Sequence, residues 1–254
     1  MTTLTGKKGL IIGISNEHSL AYGCARHFRM AGADLAVTYL NTKAEPYVRP
    51  LAEELKAEIV MPCDVTVPGE LDAVMGRITK DWGRLDFALH SIAFARKEDL
   101  HGRITDCSAE GFSFAMQVSV HSFLQLARLS EPLMVDGGCL LAMSYYGAEK
   151  AIPNYNIMGP VKAALEASAR YMAVELGPHR IRVNLLSPGP VMTRAASGIE
   201  HFDALISDAV SKAPEHQLVT LDDVGAFAAF LVSDAAKAIT GNIGYVDAGY
   251  HVVA

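Results

Sequence analysis

The chain has 254 residues, half of them apolar and a fifth charged, with a formal net charge of −6. That length fits one large α/β domain or two small ones, and the apolar content suits a soluble protein with a large core. The acidic balance argues against nucleic acid as a partner, because binding it needs a basic face.

The first element is the apolar run Gly9–Ile14, which reads as a buried parallel strand. Ser15 to His18 are polar, and a helical pattern then begins at Ser19 and runs through Leu20, Gly23, Cys24, His27 and Phe28. Ser19 either caps that helix or bonds a phosphate held by the helix dipole and its free N–H groups. The glycine spacing, Gly13 then Ser19 then Gly23, is not Gly-x-Gly-x-x-Gly, so a plain strand-turn-helix and a dinucleotide loop both stay open. Gly32 closes the helix, and Asp34–Tyr39 is the second strand. In a dinucleotide fold the end of this strand meets the adenosine ribose, where an acid selects the free 2′-hydroxyl. Leu40, Asn41, Thr42 and Lys43 follow here, with neither an acid nor an arginine. Nothing but Lys43 would favour a 2′-phosphate, which points to the unphosphorylated cofactor.

Glu45–Ala57 reads as a helix with Pro46 in its first turn and Pro50 inside it. Ile59–Met61 is the third strand, with Asp64 and Val65 beyond its end. Asp64 suits either a ligand's base or the capping of the next helix. Gly69–Trp82 is the third helix and Leu85–His90 the fourth strand. Ser91, Ile92, Ala93, Phe94 and Ala95 follow; the small residues among them would let a flat ring lie against the backbone, or serve close packing. Residues 96–109 read as a polar surface loop, and Glu110–Met134 as a long helix apolar on more than one side. Such a helix packs against a second helix as well as the sheet, hinting at an oligomer interface.

Cys139–Met143 is the fifth strand, and after Pro153 the pattern becomes helical through Val161, Leu165, Ser168 and Met172. Tyr155 and Lys162 lie seven residues apart, about two helical turns, which places both on one helix face. A cation beside a phenol favours the phenolate and makes tyrosine a better proton donor and acceptor. An amphipathic helix with a buried tyrosine and an exposed lysine fits the same residues. Arg182–Ser187 is the sixth strand, residues 191–219 form a flap over the strand ends, Leu221–Val232 is the last helix and Gly244–Gly249 the last strand. The alternation gives a single doubly wound, Rossmann-type domain over residues 1–254, with helices on both faces of a parallel sheet. Its ligand belongs at the strands' carboxyl ends, where Gly13, Ser19, Asp64, Ile92, Tyr155 and the flap all fall.

The cysteines, Cys24, Cys63, Cys107 and Cys139, include no Cys-x-x-Cys pair, and the histidines show no metal spacing. Both facts fit reduced thiols in a cytosolic protein without a metal centre. The apolar run near the start is too short for a signal peptide or a membrane span, so cytoplasm is the expectation.

Across nearly its whole length the sequence resembles the short-chain dehydrogenase/reductase superfamily, and within it the bacterial enoyl-acyl carrier protein reductases. The commoner superfamily pattern, Tyr-x-x-x-Lys, fails because Met158 stands where that tyrosine would be. The branch pattern fits: Tyr155, six residues, Lys162, with Tyr145 ten residues earlier. Ala151–Asn156 and Ala195–Ile199 resemble that family's stretches nearly word for word, and Gly13 with Ser19 its altered glycine loop.

The resemblance implies NADH-dependent reduction of the trans-2 double bond of an enoyl thioester in fatty acid synthesis, by a homotetramer. Tyr155 would donate to the enolate oxygen, Lys162 would hold the nicotinamide ribose, and Tyr145 would orient substrate or assist proton delivery. Gly13, Ser19 and Leu20 would take the pyrophosphate, Leu40 the adenosine, Asp64 and Val65 the adenine, and Ile92 the cofactor's middle. Val191, Met192, Thr193, Arg194 and Ala195 would close over the nicotinamide. Ala95, Tyr145, Met158, Ile199 and Phe202 would line the acyl pocket.

The sequence departs from the family in places. Leu40 replaces a usual glutamine, Ala93 a usual glycine and Met192 a common arginine. Residues 200–216 carry Glu200, Asp203, Asp208 and Glu215 against Lys212, where the family offers basic residues to an acidic carrier protein. Like charges disfavour that docking, so weak carrier-protein affinity or use of another thioester such as coenzyme A is expected. Two other readings share the fold: a reductase of a carbonyl or a non-lipid enone, and a non-catalytic dinucleotide-binding protein. The missing Tyr-x-x-x-Lys speaks against carbonyl reduction, and a mere sensor would not need Tyr145, Tyr155 and Lys162 together.

Overall fold

The computed structural model of the chain describes residues 3–191, 193 and 202–253, with the side chains of 202 and 203 outside that description. Its frame is a seven-stranded parallel sheet ordered β3-β2-β1-β4-β5-β6-β7. In chain order the main elements are β1 (Lys8–Ile12), α1 (Leu20–Met30), β2 (Asp34–Tyr39), α2 (Glu45–Glu54), β3 (Ile59–Pro62), α3 (Glu70–Asp81) and β4 (Phe87–His90). Then come α4 (Lys97–Leu100), α5 (Ala109–Met116), α6 (Ser122–Ser130), β5 (Gly138–Met143), α7 (Met158–Leu176), β6 (Ile181–Pro188), α8 (Phe202–Lys212), α9 (Leu221–Val232), β7 (Ile243–Val246) and α10 (Tyr250–Val253). The strand order reverses between β1 and β4, the topological switch point at which such sheets bind ligands.

The sheet separates two cores. Leu10 and Ile12 of β1 point to one face, with Phe123, Val161 and Leu165; Ile11 points to the other, with Phe28, Phe87 and Val224. Gly9 sits where a side chain would strike Phe87, since a Cβ there would lie 2.1 Å from the ring. Both β1 faces pack against aromatic as well as aliphatic side chains, and on the Ile11 face the Phe87 ring occupies the space that a side chain at Gly9 would need.

Four expectations change. The long helix is not continuous: a π turn, Gln117–His121, separates α5 from α6. That turn lets Ser119 accept from the Phe94 N–H at 3.1 Å while Ser122 meets His90 Nε2 at 2.7 Å, fixing the segment beyond β4 from two points. The 96–109 loop contains α4 and a 3-10 turn at Ile104–Asp106, stapled by Asp99, which accepts from the N–H and hydroxyl of Ser108 at 2.8 Å each. The helix after β2 stops at Glu54, because Lys56 turns into the left-handed region (φ 53°). The flap carries a helix, α8, whose Ala209, with Ala213 just beyond the helix end, packs with Tyr146 and Tyr250.

Candidate active site

Six of the seven strands are followed, at the carboxyl edge, by one of the candidate residues. Gly13 follows β1, Leu40 follows β2, Asp64 follows β3, Ile92 follows β4, Tyr145 follows β5 and Val191 follows β6. The edge divides into a cofactor side, β1 to β3, and a chemical side, β4 to β6.

On the cofactor side, Gly13 adopts φ +114°, and a Cβ there would lie 2.2 Å from the Ser91 carbonyl oxygen. Only glycine lets the β1 end approach the β4 end this closely. Ser19 is buried and its hydroxyl donates to the Asn16 carbonyl at 2.7 Å, not to the helix. α1 therefore has no side-chain cap and no acid in its first turn, an arrangement that favours an external anion over an internal one. Leu20, half-buried, packs on the α1 core and Leu40 is exposed. The Asn41 side-chain oxygen accepts from the N–H groups of Lys43 and Ala44, which folds the turn ahead of α2. One Asp64 carboxylate oxygen accepts from the N–H and hydroxyl of Thr66, at 2.9 and 2.6 Å. Asp64 thus folds the turn after β3 and does not cap α3, whose N-cap position is Gly69 without a side-chain cap; Val65 beside Asp64 is half-buried. A dinucleotide fits these residues: the uncapped helix end suits a pyrophosphate, and no carboxylate lies in the first turn of α1 to repel one.

On the chemical side, the Tyr155 ring is buried, with Tyr145 edge-on at 4.7 Å between centroids. Tyr155 is not on α7. It sits in a turn between Asn154 and Asn156, both in the left-handed region (φ 62° and 44°), and α7 starts only at Met158. The shared helix face expected for Tyr155 and Lys162 is therefore incorrect. Asparagine tolerates the left-handed region where other residues do not, and the two of them turn the chain out of helix. The Asn156 amide donates to the Gly102 carbonyl at 3.0 Å, tying this turn to the loop that holds α4. Gly147 backs the Tyr155 ring: a Cβ there would lie 2.4 Å from it.

Lys162 is on α7, and it is buried where one reading of the sequence had it exposed. Its ammonium donates to the Met143 carbonyl at the end of β5 at 2.6 Å. Burial brings its pKa down to about 8, against the pull of Glu166 in the other direction. The phenolate expectation also fails. Burial first, then Tyr145 and Glu166, push the Tyr155 phenol well above its ordinary range. Burial, then Tyr250, Asp208 and Asp247, do the same to Tyr145. Burial dominates both shifts, so both phenols are neutral donors at neutral pH. Among the described residues the buried Tyr145 hydroxyl has no hydrogen-bond partner, a donor available to a ligand.

Ile92, Ala95 and Tyr145 lie, half-buried, on the core that includes Tyr155 and Met158, while Val191 and Thr193 are half-buried beyond β6. Met192, Arg194, Ala195 and Ile199 lie outside the described residues, as does the side chain of Phe202, whose backbone opens α8.

Three contributors escaped the sequence reading. His90, at the end of β4, is fully buried; burial and then the nearby Lys162 bring its pKa down to about 3, and its Nδ1 has no partner among the described residues. Ser144 donates to the Glu166 carboxylate at 2.5 Å, and both are buried. The signal for Glu166 was its place four residues after Lys162, which puts the two on one helix face.

A family model described as "Enoyl-(Acyl carrier protein) reductase" matches residues 13–251. An NADH-dependent enoyl-acyl-carrier-protein reductase of Rickettsia felis is 45% identical over 255 residues, covering 100% of this chain and 98% of that protein. The corresponding reductase 1 of Rhizobium meliloti is 44% identical over 250 residues, covering 98% of this chain and 92% of that one. Among solved structures, the Anaplasma phagocytophilum reductase in complex with NAD superposes with a TM-score of 0.95 at 46% identity, covering 98% of this chain and 95% of the other. The Bacillus cereus reductase with NADP+ and indole naphthyridinone gives 0.97 at 40% identity, covering 100% of both.

Proposed function

Because the chain belongs to the enoyl-(acyl carrier protein) reductase family, we propose that it reduces the trans-2 double bond of an enoyl thioester, with NADH, in fatty acid synthesis. The observation that carries the reading is the pair of buried, neutral phenols, Tyr155 and Tyr145, beside a buried lysine at the sheet's carboxyl edge. NADH, when bound, supplies a hydride to the β-carbon of the substrate.

Tyr155 donates a hydrogen bond to the thioester oxygen, where negative charge builds as the enolate forms. A preorganised donor in a dry site stabilises that charge best. Tyr145 orients the substrate or helps deliver the proton to the α-carbon, and its unpartnered hydroxyl supports a role at the ligand. Lys162 holds the nicotinamide ribose hydroxyls and keeps the local potential positive. Gly13, Ser19 and Leu20 take the pyrophosphate, Asp64 and Val65 the adenine, Leu40 the adenosine and Ile92 the cofactor's middle. Residues 191–195 close over the nicotinamide, and Ala95, Met158, Ile199 and Phe202 line the acyl pocket. Residues 191–219 act as the flap of this single domain and exclude water.

The chain works as a cytoplasmic homotetramer. Exposed Tyr171 and Val174 on α7, with Leu124 of α6 sharing a groove with Tyr171, support a helix face covered by a second copy. The acids of residues 200–216 support weak affinity for an acidic carrier protein, and hence use of a coenzyme A thioester or another carrier.

The test is NADH oxidation with crotonyl-coenzyme A and with a medium-chain enoyl-carrier protein, for the wild type and Tyr155→Phe. Turnover that falls in Tyr155→Phe while NADH binding persists supports the reading, and the two substrates rank the carriers. NADH binding without turnover of either thioester would leave an enone reductase or a non-catalytic dinucleotide-binding protein.

A further inference from the structure

The end of β5 grips α7 at two successive residues. The Met143 carbonyl accepts from the Lys162 ammonium at 2.6 Å, and the Ser144 hydroxyl donates to the Glu166 carboxylate at 2.5 Å. Lys162 and Glu166 stand one helical turn apart on the same face, and they are only 4% and 5% exposed. A carbonyl can orient a buried ammonium but cannot neutralise it, and a buried ion without a counter-charge is strongly disfavoured.

We propose that Glu166, held by Ser144, is the positioning residue of this site: its carboxylate is the counter-charge that keeps the Lys162 ammonium charged and seated for the cofactor ribose. This rests on the NADH-binding reading above. Lys162 itself touches the ligand; Glu166 acts through it.

The surroundings leave Glu166 as the group suited to this. Facing Lys162 from β4 is His90, which is neutral because burial holds its pKa near 3. Tyr155, in the turn before α7, is neutral as well. Around Glu166 are Ser144, Glu149, Arg170 of the next helical turn, Lys162, the Tyr155 phenol and Tyr245 from β7. Burial raises the Glu166 carboxyl; Glu149 adds to that, and Ser144, Arg170 and Lys162 oppose it. Both ends of the pair are therefore displaced toward neutral pH, Glu166 upward and Lys162 downward to about 8. The seated, ionised pair exists only between the two titrations. NADH binding should weaken on the acid side as Glu166 takes a proton, and on the alkaline side as Lys162 loses one.

The experiment is NADH affinity by fluorescence titration across the pH range in which the fold persists, for the wild type, Glu166→Gln, Glu166→Asp and Ser144→Ala, with circular dichroism at each pH. In Glu166→Gln the acid limb should vanish and the alkaline limb move down by about one pH unit, the effect of removing an adjacent opposite charge. Glu166→Asp keeps the charge and should return the alkaline limb toward the wild-type position. Ser144→Ala removes a bond that favours the carboxylate and should move the acid limb upward. A merely structural glutamate would lower the melting temperature without moving either limb. A folded Glu166→Gln whose curve superimposes on the wild type overturns the proposal. If that variant does not fold, an acid limb unmoved in Ser144→Ala overturns it instead. A wild type that binds no NADH overturns the functional reading and this proposal with it, a result distinct from either.

Discussion

Gly147→Ala should cripple turnover while leaving the fold intact. The backbone at Gly147 is not in the left-handed region, so alanine meets no conformational penalty there. Its Cβ, however, would lie 2.4 Å from Tyr155 Cδ1, 2.7 Å from Cε1 and 3.2 Å from the Tyr145 ring. Carbon atoms in contact sit at about 3.5 Å or more, so the Tyr155 ring has to give by roughly 1 Å. It cannot retreat freely, because Tyr145 stands edge-on against it at 4.7 Å. A displacement of about 1 Å in a catalytic group costs on the order of 10²-fold in rate, and overpacking removes about 1–3 kcal/mol of stability. The assay is steady-state NADH oxidation with crotonyl-coenzyme A, alongside NADH titration and thermal melting. The expected pattern is kcat down by about two orders of magnitude, near-normal NADH affinity and a modest fall in melting temperature. Gly76→Ala is the matched control. Gly76 lies inside α3 with nothing within 4 Å of its would-be Cβ, so alanine there should stabilise by about 0.5–1 kcal/mol. Gly147→Ala with kcat within twofold of the wild type would refute the wedging of Tyr155 and its part in the chemistry.

Two further predictions concern stability. His90 titrates near 3 in the folded chain against 6.5 ordinarily, so between those values the unfolded state binds more protons. Stability supplied by the neutral imidazole is fully present above pH 6.5 and is lost as pH falls toward 3; urea unfolding should show this slope, and His90→Asn should flatten it. Thr220 and Asp223 form a capping box at the start of α9, so Thr220→Ala should cost about 1 kcal/mol and lower the melting temperature by a few degrees, with no capping role left to argue if the melt is unchanged.

The sheet was legible because its strands are short apolar runs bounded by glycine or polar residues; Leu10-Ile11-Ile12, short and flanked by Gly9 and Gly13, suits a strand buried on both faces. The alternation of strand and helix then fixed the parallel topology and put the candidate residues on one edge. What was not legible depended on tertiary environment. Spacing placed Tyr155 and Lys162 on one helix, but Asn154 and Asn156 enter the left-handed region and move the tyrosine off it. Periodicity missed α8 because the residue it buries, Ala209, is small and weighs little in an apolar pattern. The charge state of Tyr155 was misjudged for the same reason: proximity to a cation shows in the sequence, and desolvation does not.

That misjudgement bears on how the site is built. Were Tyr155 exposed, Lys162 could pull it toward phenolate, and a phenolate cannot donate to a developing oxyanion. Burial prevents this by holding the phenol neutral, but the same burial works against the lysine's own charge. One dry environment thus serves the donor and penalises the cation. In the proposal above, Glu166 offsets the penalty from within α7, and Ser144 holds its carboxylate by a hydrogen bond. The tyrosine sits on a turn that Gly147 lets approach, whereas the lysine sits on a rigid helix clamped at the end of β5. In the proposed roles, a proton-donating ring tolerates some adjustment, and a cation that orients a ribose does not. The division of the two residues between turn and helix follows from what each has to do.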